Sequence, residues 1–234
     1  MSKTLSFTID GTPCTARPGQ TILEAAIENG IYIPSLCRYA GLKPAGSCRI
    51  CTVRVGGRYM AACTQPAAEG MVIENKAADL EDMRKALVEM LFVEGNHMCP
   101  TCEKSGNCEL QALGYRYQML VPRFPYQFPI RKVETAGPKI LVEHNRCIKC
   151  LRCVRGVKTK DGKGVFGPLH RTKRKKIGVD PAQAGKLTDE DALGAMNRCP
   201  VGSILRKEVG FAVPIGRRKF DAAVIGSDIE KPKG

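Results

Sequence analysis

A chain of 234 residues has room for one large or two to three small domains, and its ordinary apolar content allows a packed core. Twelve cysteines are many for this length, yet too sparse for a small disulfide scaffold. A net charge of +14 points to an anionic counterpart: nucleic acid, a membrane surface or an acidic protein. No basic region followed by an apolar run opens the chain, no twin-arginine segment stands there, and no apolar stretch reaches the length of a membrane span. The expected setting is cytoplasmic, with no integral membrane span. Disulfides rarely persist there, and clustered cysteines read as metal ligands or catalytic thiols.

Along the chain, LSFTID alternates as a strand and TPCTARPG returns toward a turn. Thr21 and Glu24 form a capping-box pattern at the head of TILEAAIENG, and Gly30 marks its stop. ICTVRV and RYMAAC predict a hairpin about Gly56 and Gly57, and MVIEN a further short strand. Residues 1–78 therefore read as a small α+β unit. In ADLEDMRKALVEMLFVEG, Leu80, Met83, Leu87, Met90 and Leu91 recur at helical spacing up to Gly95. A second short helix is expected over CELQALGYRYQ, so residues 79–120 read as a small helical unit.

The stretch 121–138, VPRFPYQFPIRKVETAGP, reads as a linker or as a segment lying over a neighbour, because repeated Pro denies it both ladders. Residues 139–208 form a third unit. Its middle, DGKGVFGPLHRTKRKK, predicts strand and loop, and LTDEDALGAMNRC predicts a helix capped at Thr188. Residues 209–234 form a tail of little periodicity.

Three cysteine sets carry the chemistry. Cys37, Cys48, Cys51 and Cys63 follow C-x10-C-x2-C-x11-C. A [2Fe–2S] cluster needs four thiolates, and the small residues Gly41, Ala45, Gly46 and Ser47 let backbone N–H groups approach sulfur. Zinc is the alternative, although zinc sites more often use two close C-x2-C pairs. Cys99, Cys102 and Cys108 follow C-x2-C-x5-C, with His97 two residues before the first. Three thiolates leave one iron of a [4Fe–4S] cubane short, and His97 completes the set. The competing readings are a His97 that only hydrogen-bonds nearby and a redox pair of Cys99 with Cys102. Cys147, Cys150 and Cys153 wrap three corners of a second cubane, and Cys199, followed by Pro200, supplies the fourth. Cys14 is left over as a core or surface thiol, and His144 and His170 receive no ligand role.

The order of these sets resembles the N-terminal part of the large iron–sulfur subunit of respiratory complex I and the N-terminal region of iron-only hydrogenases. The phrases EGNHMCPTCEKSGNCELQA and VGFAVPIGRRKFD are similar to the small diaphorase (HoxU-type) subunits of NAD-reducing, bidirectional nickel–iron hydrogenases. In complex I the histidine stands four residues before its first cysteine. Here that place is Gly95, so ligation by His97 implies a rearranged approach.

The resemblance implies an α+β fold in three parts: a plant-type ferredoxin-like β-grasp domain, a helical [4Fe–4S] domain with one His and three Cys ligands, and a bacterial-ferredoxin-like [4Fe–4S] domain with a C-terminal tail. It implies one [2Fe–2S] and two [4Fe–4S] clusters and a non-catalytic relay of single electrons. The partners implied are a flavin- and NAD-binding diaphorase subunit, which carries FMN and NAD, and the small and large nickel–iron hydrogenase subunits. The same module in an NAD-linked formate dehydrogenase or a complex I-like enzyme is the alternative, and a zinc-binding nucleic-acid protein a more distant one. The chain itself shows no nucleotide-binding fingerprint. Its basic run near Phe166 lacks the interleaved aromatics that stack on bases, so no nucleic-acid partner is expected. Loaded with clusters, the chain would still be basic by about +9. Acidic surfaces of partner subunits are the expected counterpart.

Overall fold

The computed structural model describes residues 4–135 and 137–230, the side chain of Lys173 excepted. The ends of the first and last expected segments, 1–3 and 231–234, and position 136 of the linker lie outside the described residues.

Strands β1 (Leu5–Ile9) and β2 (Thr12–Ala16) pair antiparallel. Helix α1 (Ile22–Glu28) follows, with the expected capping box: the Glu24 amide donates to Thr21 Oγ1 at 3.2 Å, and the Thr21 amide donates to Glu24 Oε2 at 3.0 Å. Strands β3 (Thr52–Val55) and β4 (Arg58–Ala61) form the hairpin on Gly56 and Gly57, both at positive φ. Strand β5 (Val72–Glu74) then enters between β1, to which it is parallel, and β3. The sheet order is β2-β1-β5-β3-β4. Phe7, Ile9, Ile22, Leu23, Val53 and Ile73 form a core that belongs to this part alone. Cys14 lies in that core, where burial raises its thiol pKa.

Helix α2 (Ala78–Glu94) is fastened to the sheet by a buried guanidinium. Arg84 donates to the carbonyls of Asn75 and Thr52, each at 2.7 Å, and to Asn75 Oδ1 at 2.8 Å. Arg84→Met would leave these acceptors buried without donors, at a cost on the order of 3 kcal/mol. Denaturant melts of the cluster-loaded protein are expected to show that loss, and a midpoint equal to the wild type would mean that water takes over the three acceptors.

Helix α3 (Glu109–Arg116) is short, and the Cys108 sulfur caps it by accepting from the Gln111 amide at 3.4 Å. The Pro-rich stretch then runs over α2: Arg123 donates to the fully buried Glu89 at 2.8 Å, and the Gln127 amide to the Val93 carbonyl at 2.9 Å. One expectation fails here. Strand β6 (Val133–Glu134) pairs with β7 (Ile140–Glu143), because residues between Pro129 and Pro138 keep their amide donors.

Helix α4 (Arg152–Gly156), the β8 (Phe166–Leu169) and β9 (Lys176–Val179) hairpin and the one-turn α5 (Pro181–Ala184) lead to α6 (Asp189–Arg198). Thr188 and Asp191 close the expected cap on α6. Strand β10 (Ile204–Arg206) pairs back onto β7. The tail folds over α3, where Arg116 holds the Ile225 carbonyl at 2.8 Å and Glu230 at 2.8 Å. Leu110, Leu113, Ile140, Val165, Ala195 and Ile204 share one core, so the second and third cysteine sets sit on common packing. Among the described residues, no helix is long and apolar enough to cross a membrane.

Candidate metal centres

All twelve cysteines are free thiols. The first and third sets sit on loops whose backbone has an unusual bend. Arg49 (φ 59°), Lys149 (φ 55°) and Leu151 (φ 62°) adopt the left-handed region, which costs a non-Gly residue about 1 kcal/mol or more. Such turns aim successive N–H groups at one concave point, an arrangement suited to anionic sulfur.

In the first set, the Cys48 and Cys63 thiols lie against the Cys37 sulfur and hold its pKa far down, aided by the backbone at Cys48 and Ser47. Cys63 likewise holds Cys51 down. The opposing partners, Cys48 and Cys63, are pushed up by Cys37, as expected when several sulfurs share few protons.

The second set surrounds a small chamber lined by His97, Cys99, Cys102 and Cys108 together with Phe92, Arg146 and Gly202. His97 Nε2 is buried and has no hydrogen-bond partner. Burial drops its pKa to about 4, so the imidazole is neutral at pH 7 with a lone pair to donate. Phe92 meets the ring edge-on at 5.3 Å. Burial pushes Cys108 up to about 12. Two glycines make room: a Cβ on Gly95 would stand 2.3 Å from His97 Nε2, and one on Gly202 only 2.4 Å from Cys102 Sγ. Gly202→Ala is expected to displace Cys102 and cost the protein about four iron atoms. Iron and sulfide assay of the purified variant checks this, and full loading would mean that the backbone yields instead.

The third set lines a second small chamber: Cys147, Cys150, Cys153 and Cys199, walled by Val142, Ile148, Phe166, Ile177 and Ile204. Burial raises Cys147, Cys150 and Cys153, the second to about 12, and the neighbouring sulfurs add to the rise. The Lys149 and Arg152 backbone amides oppose it.

Among the described residues, no three or more His, Cys, Asp or Glu side chains are drawn around one point as a single ion requires. The thiol-lined chambers would suit a polynuclear group, held by the cysteines of each set. The unpartnered His97 nitrogen, the thiol-lined voids and the amides facing sulfur all fit an iron–sulfur core.

Buried cations, which spacing did not reveal, complete the surroundings. Lys104 lies between Cys108 and Cys199 and donates to the Met196 carbonyl at 2.9 Å. Burial lowers its pKa, and those two sulfurs oppose the fall. Arg152 is buried in a bidentate pair with Glu109 at 2.7 and 2.6 Å and faces Cys150 and Cys199. Their only sequence signal is the interleaving of basic residues with cysteines in RCIKCLRCVR and TCEKSGNC. His144 is buried against Glu134 at 2.9 Å. Beside Cys147 opens a cavity of about 680 Å3 lined by Arg131, Lys132, Lys149, Arg174, Lys175 and Lys176.

Comparisons with known proteins follow the same order along the chain. Residues 2–78 match the 2Fe-2S iron-sulfur cluster binding domain family. Residues 84–123 match the NADH-ubiquinone oxidoreductase-G iron-sulfur binding region, and residues 137–205 the ferredoxin-like domain of NADH-quinone oxidoreductase subunit 3. The mitochondrial NADH-ubiquinone oxidoreductase 78 kDa subunit of Candida albicans is 32% identical over 88% of this chain, which spans only 29% of that relative. A crystal structure of NAD+-reducing [NiFe]-hydrogenase in the H2-reduced state contains a similar chain, at 40% identity and a TM-score of 0.86, covering 93% of this chain and 94% of that one. The gamma subunit of the NAD-reducing hydrogenase HoxS of Cupriavidus necator is 48% identical over 93% of both chains. Nearly half of its residues identical to that gamma subunit over 93% of both chains, with a matching fold, place this chain in the gamma-subunit family of NAD-reducing hydrogenases.

Proposed function

We propose that the chain relays single electrons between the NAD side and the hydrogen side of an NAD-reducing hydrogenase. It holds one [2Fe–2S] cluster on Cys37, Cys48, Cys51 and Cys63. It holds one [4Fe–4S] cluster on His97, Cys99, Cys102 and Cys108, and a second on Cys147, Cys150, Cys153 and Cys199. The segments 1–78, 79–120 and 139–208 carry them in that order. Clusters of this kind take up and release electrons one at a time when bound.

Everything else is done by the chain's own residues. Val142, Phe166, Ile177 and Ile204 wall the third set and exclude water. Lys104 and Arg152 offset the negative charge that four thiolates bring into a buried site. A neutral His97 in place of a fourth thiolate makes the second site less negative and its potential higher than the third. The chain performs no hydride or hydrogen chemistry itself. FMN and NAD belong to a diaphorase subunit, and nickel and iron to the hydrogenase small and large subunits, in the cytoplasm.

The exposed apolar side chains Leu120, Phe128 and Ile130 of the 121–138 segment and its border, and Phe211 and Ile215 of the 209–234 tail, serve subunit contact. The basic cavity beside Cys147 offers an acidic partner surface its counterpart. Association of the loaded chain with its partners is expected to weaken about tenfold when ionic strength rises from about 0.05 to about 0.2 M. Surface plasmon resonance at the two salt levels measures it, and an unchanged affinity would remove charge from the account.

The observation that carries this reading is the gathering of twelve widely spaced donors into three separate groups, two of them around small thiol-lined chambers. Protein purified anaerobically is expected to hold about ten iron and about eight to ten sulfide per chain. Zinc without sulfide would overturn the reading. A tagged chain recovered from its native cell should bring nickel and flavin with it, whereas molybdenum would assign it to a formate dehydrogenase.

A further inference from the structure

Arg155 touches two cysteine loops at once. It lies in α4, directly after the C-x2-C-x2-C run, and is half-buried. One terminal nitrogen, Nη2, donates to the Cys37 carbonyl at 2.6 Å and to the Cys150 carbonyl at 3.3 Å. Nη1 donates to the Lys43 carbonyl, and Nε to the Leu151 carbonyl at 3.2 Å. Cys37 belongs to the first set, 118 residues away in sequence, and Cys150 to the third.

The surfaces around this fork are closely fitted. A Cβ on Gly156 would stand 2.7 Å from Arg198 Nε and 2.9 Å from Leu42 Cδ1, so the glycine gives both side chains room. The Arg198 and Arg152 guanidinium groups lie over the Tyr39 ring at 5.1 and 5.6 Å. No other side chain of the described residues is seen to donate to main-chain carbonyls of both sets.

We propose that Arg155 is the positioning residue that couples the first set to the third. Its planar, permanently charged fork fixes the Cys37 loop against the Cys150 loop and supplies a hydrogen-bonded link from one ligand's carbonyl to the other's. An electron crossing here would leave the iron–sulfur group held by one set oxidised by one equivalent and that held by the other reduced by one. The guanidinium stays charged throughout, so no proton accompanies it. Lysine carries the same charge but lacks the fork, so it cannot reproduce both contacts. The inference rests on the iron–sulfur reading above.

The test compares Arg155→Lys, Arg155→Gln and Leu42→Ala in the cluster-loaded protein. Iron and sulfide content are measured first, so failure of the iron–sulfur reading is seen separately, as wild-type protein without sulfide. Electron equilibration between the first and third sites is then followed after flash photoreduction, and their spin–spin interaction by electron paramagnetic resonance of the reduced protein. Both Arg155 variants are expected to keep their iron, to equilibrate about tenfold more slowly and to show an altered spin–spin interaction. Leu42→Ala, which loosens the same contact without touching either carbonyl, is expected to behave as wild type. Unchanged equilibration in fully loaded Arg155 variants would overturn the proposal. So would an equal slowing in Leu42→Ala, or loss of iron from both Arg155 variants, since Arg155 would then serve docking or folding alone.

Discussion

Stripped of iron by an anaerobic chelator, the protein is expected to lose the packing of its second and third parts while the N-terminal sheet survives. The reason lies in how its two cores are built. Phe7, Ile9, Leu23, Val53 and Ile73 pack on one another, and Cys51 and Cys63 are small buried members of a core whose remaining side chains are apolar. Cys108, Cys153 and Cys199 belong to the larger core, whose residues line the chambers of the second and third sets. Emptying these leaves voids whose walls lose contacts and buried cations that lose their counter-charge. Four-ligand structural metal sites contribute on the order of 10 kcal/mol to folding, comparable with the whole net stability of a domain. Hydrogen exchange read by mass spectrometry is the measurement. Peptides over residues 99–116, 147–157 and 192–206 should exchange about 100-fold faster or more, and those over 5–16 should keep most of their protection. Uniform native protection in the metal-free protein would show that the fold carries its clusters without leaning on them.

Replacing His97 separates ligation from a bystander role. His97→Ala is expected to lose about one iron from the second site and to convert its spectrum to that of a three-iron cluster, because the three thiolates alone leave one corner open. His97→Cys is expected to keep all four irons but to lower that site's potential by on the order of 100 mV or more, since a thiolate brings a negative charge that neutral imidazole lacks. The geometry favours the replacement: His97 lines the chamber, its Nε2 has no partner, and Gly95 leaves space beside it. Redox titration followed by electron paramagnetic resonance reads both effects. Full iron and an unshifted potential in His97→Ala would make His97 a packing residue, fitted against Phe92 and nothing more.

Local chemistry made much of this protein legible in advance. Ligand spacing marked the three cysteine sets, because a tight C-x2-C turn and a thiolate's appetite for metal are requirements of a few neighbouring residues. Thr21 with Glu24 and Thr188 with its acidic third residue announced two helix starts for the same reason, and Gly56-Gly57 announced the hairpin. The brief strand Val133–Glu134 was hidden by the prolines around it, since its pairing depends on a partner supplied by β7. The one-turn α5 went unread although Asp180 and Pro181 open it in the usual way.

Only the tertiary structure decided which residues from distant segments surround each group of sulfurs. Lys104 reaches Met196, 92 residues on; Gly202 comes to lie on Cys102; and Arg155 spans Cys37 and Cys150. No periodicity encodes such meetings. They follow from the way α3, α4 and α6 share one core and from the docking of the Cys37–Cys48 loop on α4, and both are settled by packing over the whole chain rather than by any stretch of it.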